Sequence, residues 1–396
     1  MNASGSESAS RVPTLALVES DEHRMIRTAV RDIVAPFGHR YFADAVRREQ
    51  PPTELWNALA AHGYTGVNVP ERYGGGGLGL TELAIVEEEI SAAGCPLLTL
   101  LVSPAIVGTI VAEHGSEEQR ERWLPGIGSG EERHAFAITE PDAGSNTHML
   151  STRATRRGDR FVLRGTKTFI SAVEDAQAIL VVATSGEVGS GNLSLFIVDA
   201  DAPGLERQRI RTEVQTPEHQ WTLFFDDVEL GPERLVGAEG EGMRLVFGGL
   251  NPERIMAAMI CTGVGRYALE KAAEYARERT VWGGRPIGVH QGLSHPLAEA
   301  KIALEAARLM AARAAALHDC AGQAGEASNM AKFLAAEAGL RCLDQAIQTH
   351  GGNGLATEYG LADLWFAVRV LRTAPVSREM ILNYVAQHSL GLPRSY

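Results

Sequence analysis

FAITEPDAGSN, residues 136–146, marks the place where this chain changes character. Phe136 to Ile138 read as the end of a short strand. Pro141 has no N–H with which to continue a ladder, and Ala143, Gly144 and Ser145 form a small-residue turn. Such a turn presents backbone N–H groups and small hydroxyls to a ligand.

Working outward, apolar residues upstream recur at three- and four-residue spacing in MIRTAVRDIVAPF (25–37), ELWNALAAHG (54–63) and LTELAIVEEEISAAG (80–94). This period predicts a helical domain over 19–132, preceded by a disordered tail over 1–18. Downstream come short alternating runs, RFVLRG, KTFIS, AQAILVVAT, LSLFIVD and WTLFFDDVEL, separated by Gly, Asp, Asn and Pro. They predict a middle antiparallel β-barrel or sandwich domain over 133–238. After Gly242 the helical period returns in long stretches, one of them closed by Gly351 and Gly352. A C-terminal bundle of about four helices over 239–396 follows, so the fold class is α+β.

Composition narrows the partners. The chain has 396 residues, 45% of them hydrophobic, enough for several lobes with substantial cores. Its 37 Lys and Arg against 49 Asp and Glu give a net charge of −12, which disfavours nucleic acid and anionic membranes. Cys95, Cys261, Cys320 and Cys342 are scattered, with neither disulfide nor zinc spacing, and the expected setting is a reducing cytoplasm. No apolar run is long enough to suggest membrane insertion. The alanine-rich faces of 297–349 predict symmetric self-association, although a wide core would explain them too.

Several motifs have dull explanations. GGGGLG (74–79) matches G-x-G-x-x-G, but no β-α-β alternation follows, and it reads as a loop. Glu131 and His134 form a single E-x-x-H where a di-iron bundle needs two, so no metal is expected. A G-x-S-x-G elbow and a Walker lysine are both missing.

With its T-E-P-x-A-G-S turn, the 136–146 stretch resembles the acyl-CoA dehydrogenase family, Asn146 standing where the family carries Asp. GYTGVNVPERYGGGGLGL, RGTKTFIS, ARERTVWGGRPIGVHQ and QTHGGNG extend the resemblance through most of the chain in the same order. It implies an FAD enzyme that oxidises an acyl thioester, carried by coenzyme A or acyl carrier protein. It implies also electron-transfer flavoprotein as acceptor and a homodimer or homotetramer.

Matched position by position, the family pattern puts Phe136, Ile138, Thr139, Phe169, Ile170 and Ser171 around the isoalloxazine, Ser171 near N5. An apolar, partly aromatic wall with a few donors suits a flavin ring, although strand residues of this kind are also ordinary core. Arg279, Trp282, Gln291, Gln348 and Gly352 match positions that hold the pyrophosphate and adenosine of a neighbouring subunit's FAD, with Ser377 and Glu379 approaching the adenine end. Ser145, Asn251 and Arg254 fall at substrate-binding positions.

Removing a proton beside a thioester needs a carboxylate in a water-poor pocket. Much of the family carries it in a Y-E-G-T motif, but here the matching segment is Thr373, Ala374, Pro375, Val376 and Ser377. A subset that includes isovaleryl-CoA dehydrogenase has it on an earlier helix, where this chain has Leu250, Asn251, Pro252, Glu253 and Arg254. The resemblance therefore makes Glu253 the catalytic base. On local chemistry alone, Asn251 and Pro252 also read as an N-cap and first helical residue, with Glu253 a plain first-turn acid. Pro375 lacks the N–H that the family offers to the thioester oxygen at the aligned position. Two rival readings share the scaffold: a flavin monooxygenase or oxidase, and a non-catalytic binder of acyl thioesters.

Overall fold

The structure, a computed structural model, describes residues 19–321 and 323–394. The tail expected over 1–18 lies outside the described residues.

The N-terminal lobe holds α1 (Asp21–Val34), α2 (Gly38–Arg47), α3 (Thr53–Ala60), α4 (Leu80–Ala92), α5 (Leu98–Leu100), a π-helical stretch (Leu101–Gly108), α6 (Thr109–His114) and α7 (Glu117–Ser129). Local signals start and stop these helices. The Ser20 hydroxyl accepts from His23 N–H at the head of α1, and Ser116 and Gln119 form a capping box on α7. Gly130, at φ 78°, ends α7 in the left-handed conformation that glycine adopts without strain. GGGGLG is a loop, as its lack of context predicts, and it leads into α4. The start of α4 is capped from a distance: both carboxylate oxygens of Asp319 accept, from Leu80 N–H and Thr81 N–H at 2.8 Å each.

One eight-stranded sheet forms the middle lobe, from β1 (Arg133–Ala137), β2 (Arg153–Arg157), β3 (Arg160–Ser171), β4 (Ala176–Thr184), β5 (Leu193–Asp199), β6 (Leu205–Ile210), β7 (Gln220–Leu230) and β8 (Leu235–Val236). Most pairs are antiparallel, as the alternation predicts. The sheet is nonetheless mixed, because β1 pairs parallel with β4. Thirty-eight or so residues separate those two strands, enough for a crossover that a hairpin count along the sequence does not see.

The C-terminal lobe has three long helices, α8 (Gly242–Glu278), α9 (Gln291–Ala321) and α10 (Gly325–His350), then α11 (Ala362–Val370) and α12 (Arg378–Tyr384). A short hairpin, β9 (Thr280–Val281) with β10 (Arg285–Pro286), bridges α8 and α9. Ala300, Ala307, Ala311 and Ala314 of α9 are buried against α8 and α10 within the chain. These alanines serve the bundle's own packing, while Ala306 and Ala312 stay exposed on the outer face of α9 with Ile302 and Leu309. The lobes share a continuous core, in which the π-helical stretch packs against both β1 and α8.

Candidate active site

Two strand ends are brought side by side by a buried ion pair. Lys167, on β3, donates from Nζ to Glu140 Oε1 and to the Ile138 carbonyl, each at 2.8 Å. The Glu140 carboxylate also accepts from Ser151 N–H, Ser151 Oγ and Thr152 N–H, and Thr168 N–H donates to the Thr139 carbonyl. Burial pushes the Glu140 carboxyl up, but Lys167 and the Ser151 donors outweigh it and hold it down at about 2. The segments 136–140 and 167–171 are thereby clamped as one wall.

On that wall the residues differ in what they offer. Phe136 and Ile170 are buried, Phe136 in the large core and Ile170 in the sheet's own, so their side chains are packing residues. Phe169 is 60% exposed at φ 55°, where the pairing of β3 with β7 slips. A bulge of this kind turns a side chain out of the sheet at a cost in backbone strain, and here it displays an aromatic ring with nothing over it. The Thr139 hydroxyl makes no hydrogen bond among the described residues. Ser171 Oγ pairs with the Gln220 side chain. An unpacked ring, an open hydroxyl and a rigid backbone edge are what a flavin requires, and these residues fit one. Ser145 sits exposed in the turn that follows.

Glu253 stands on α8. The first-turn reading of this residue fails, because α8 begins at Gly242 and runs through Pro252 without a break. Pro252 sits inside the helix, ten residues past its first residue, Gly242, so Asn251 caps nothing. Glu253 is half-buried and its carboxylate has no hydrogen-bond partner among the described residues. Loss of hydration pushes it up to about 7, against the pull of Arg254 and Lys332. Arg254 donates from Nη1 to the Leu250 carbonyl and to Asn251 Oδ1, both at 3.1 Å, while its buried Nε has no acceptor. Leu250, just before the acid, packs on the same core as Ile138.

Arg279, Trp282, Gln291, Gln348 and Gly352 are all exposed, and they form a separate group. Tyr275 near the end of α8 stacks on His350 at the end of α10, with ring centroids 4.3 Å apart, which draws the two helix ends together. Along α8, the 26 residues from Glu253 to Arg279 correspond to roughly 39 Å. Ser377 and Glu379 fall at the Glu253 end, beside Lys332, and so lie apart from the Arg279 group.

Matches to known proteins agree with this architecture. Models of the acyl-CoA dehydrogenase N-terminal, middle and C-terminal domains match residues 20–131, 135–228 and 240–390. The acyl-CoA dehydrogenase FadE12 of Mycobacterium tuberculosis is 51% identical over 385 residues, covering 96% of this chain and 99% of that protein. The chain belongs to the acyl-CoA dehydrogenase family. Among solved structures, a glutaryl-coenzyme A dehydrogenase in complex with glutaryl-CoA superposes with a TM-score of 0.91 at 29% identity, covering 96% of this chain and 98% of that one. The butyryl-CoA dehydrogenase of Megasphaera elsdenii gives 0.89 at 25%, covering 95% and 100%.

In this acyl-CoA dehydrogenase the segment Thr373–Ser377 is held from an unforeseen direction. Lys332 Nζ on α10 donates to the Val376 carbonyl at 2.5 Å, and Ala374 N–H is taken by the Val370 carbonyl at 2.8 Å. Lys332 and the Glu140–Lys167 pair were not among the residues singled out from sequence. A legible signal existed for the first: Lys332 is the one lysine of α10, set among alanines and leucines on the stripe that continues from Ser328. The pair had none, since a glutamate in a turn and a lysine in a strand look surface-exposed until the two segments meet.

Proposed function

We propose that this member of the family is an FAD-dependent acyl-CoA dehydrogenase in which Glu253 removes the α proton of the thioester to give the 2-enoyl product. One observation carries the reading: Glu253 is an unbonded, partly desolvated carboxyl titrating near 7, one helical turn past residues that share a core with the flavin-facing wall. Such a group accepts a proton without first breaking a bond of its own.

When bound, FAD supplies the acceptor for the β hydride. Phe169 would cover the ring, and Thr139 and the 138–139 and 170–171 backbone would offer hydrogen bonds to its edge. Arg254, fixed by Asn251, holds a positive charge beside the base. Asn251 and Ser145 would contact the thiol-bearing arm of the substrate. Arg279, Trp282, Gln291, Gln348 and Gly352 serve a second subunit's cofactor, because roughly 39 Å of helix separates them from Glu253 in their own chain. The working unit is therefore a homodimer or homotetramer. Reduced FAD passes electrons to an electron-transfer flavoprotein. The free thiols Cys95, Cys261 and Cys342 are buried and Cys320 is exposed, which suits a cytoplasmic setting. Among the described residues no helix is long and apolar enough to cross a membrane.

The test is anaerobic mixing of the FAD-loaded protein with a panel of acyl-CoAs, following bleaching of the flavin band. Glu253→Gln should slow bleaching on the order of 10²–10⁴-fold while FAD stays bound. Glu218→Gln is the comparison, since Glu218 is also buried and pushed up to about 7, but Thr99 N–H and Oγ1 occupy one of its oxygens. Loss of bleaching in Glu218→Gln, with Glu253→Gln unaffected, would transfer the role.

A further inference from the structure

Lys332 is 1% exposed, and no carboxylate lies within ion-pairing distance of it among the described residues. Its one acceptor is the Val376 carbonyl. An ammonium buried on those terms is costly, and it persists where negative charge has to be met nearby.

The packing of α8 on α10 says where that charge is. Ser328 Oγ meets Asn251 Oδ1 at 3.3 Å. Further along, a Cβ on Gly339 would lie 2.7 Å from the Cys261 carbonyl, and one on Gly265 3.6 Å from Cys342 Cβ. The two helices therefore run parallel in constant register, and the same offset sets Lys332 beside Ile255, within one turn of Glu253. The charged and titratable groups around this point are few. Glu253 is faced by Arg254 from its own helix and by Lys332 from α10. Cys261 and Glu379 face Lys332, and Tyr384 faces Arg254. From α6, Glu113 and His114 pack at Gly248, five residues before the base.

We infer that Lys332 is a positioning residue for the proton-transfer step: its buried ammonium favours the ionised, proton-accepting form of Glu253 and ties the Thr373–Ser377 segment down as the facing wall of the acyl site. This inference rests on the reading of Glu253 as base. Arg254 exerts the larger pull on Glu253 from the same helix, and Lys332 adds a second from α10 that also reaches the Val376 carbonyl. The tether to Val376 also accounts for a segment that keeps its place although it has lost the family's usual acid there.

Three variants separate charge from tether: Lys332→Arg keeps the charge, Lys332→Gln keeps a donor without charge, and Lys332→Met keeps neither. Single-turnover reduction by acyl-CoA is followed against pH, alongside infrared difference titration of the Glu253 carboxyl in substrate-free protein, with Glu253→Gln as blank. In both neutral variants the acid limb and the infrared midpoint should move up by about one pH unit or more, a tenfold change in ionisation. Lys332→Arg should titrate as the native chain does. Should Lys332→Met lose its helical circular dichroism, Lys332→Gln carries the measurement. An unchanged midpoint in Lys332→Gln, with native circular dichroism, overturns the inference. If Glu253→Gln keeps the native rate, it is the base assignment that fails.

Discussion

Glu253 titrates in the working range because loss of hydration outweighs the two cations beside it. Loss of hydration favours its neutral form, and Arg254 and Lys332 favour its charge, leaving the carboxyl at about 7 rather than its ordinary 4.5. An acid raised in this way acts as a base only above that pH. The acid limb of kcat/KM, which reports the free enzyme, should therefore fall near pH 7. The same shift has a consequence for folding: the neutral carboxyl is the better tolerated form, and stability is lost as pH rises from the ordinary 4.5 to about 7. Glu253→Gln should gain thermal stability over the native chain above pH 7 and match it only below the ordinary 4.5, at about pH 4. Melting curves at the two pH values check this, and equal shifts at both would contradict it.

Between helices, a cluster of buried ion pairs centres on α4. Glu88, 1% exposed, pairs with Arg27 of α1 and Arg308 of α9, each at 2.6 Å, and Glu89 pairs with Arg27 and with Arg266 of α8, again at 2.6 Å. Two adjacent acids thus fasten four helices. Burial pushes Glu88 up, but Arg27, Arg308 and Arg266 prevail and hold it down at about 2. Its contribution is complete above the ordinary 4.5 and disappears as pH falls toward about 2. Glu88→Ala leaves buried guanidinium groups without their partner, a change that costs about 3–5 kcal/mol. Urea unfolding at pH 7 should show that loss, and the gap between variant and native chain should narrow below pH 4.5. A gap independent of pH would mean that the cluster acts through packing alone.

At the scale of the whole molecule, the exposed apolar side chains cluster on the C-terminal lobe. Ile302 is 70% exposed and Leu309 55%, seven residues apart on the outer face of α9, and Trp282 is 93% exposed on the hairpin between α8 and α9. Large apolar groups so displayed mark an interface more readily than a solvent surface. Ile302→Glu with Leu309→Glu should shift the sedimentation coefficient to that of a smaller species. If the Arg279 group serves a second subunit's FAD, as proposed above, the cofactor should be lost with it. A monomer that retains FAD would break this link.

Much of this protein was legible in its order of residues. Helical spacing in 25–94 and after 242, alternation from 160 to 230, and the turn at 136–146 follow from local chemistry, and each marks its lobe. The resemblance carried by the TEP turn and by Asn251 to Arg254 pointed to Glu253 through a compensation visible in one dimension: an acid missing before the last helix and another present on an earlier one. Tertiary structure decided the rest. Only packing shows that Pro252 lies within a continuous helix, that β1 joins β4 in parallel, and that Ala300, Ala307, Ala311 and Ala314 of α9 are buried inside the chain. Lys332 met Val376, and Glu140 met Lys167, across 44 and 27 residues of sequence. No local pattern encodes such partners, because a buried charge is stabilised by whatever the fold brings to it, and that is settled only when the helices and strands have docked.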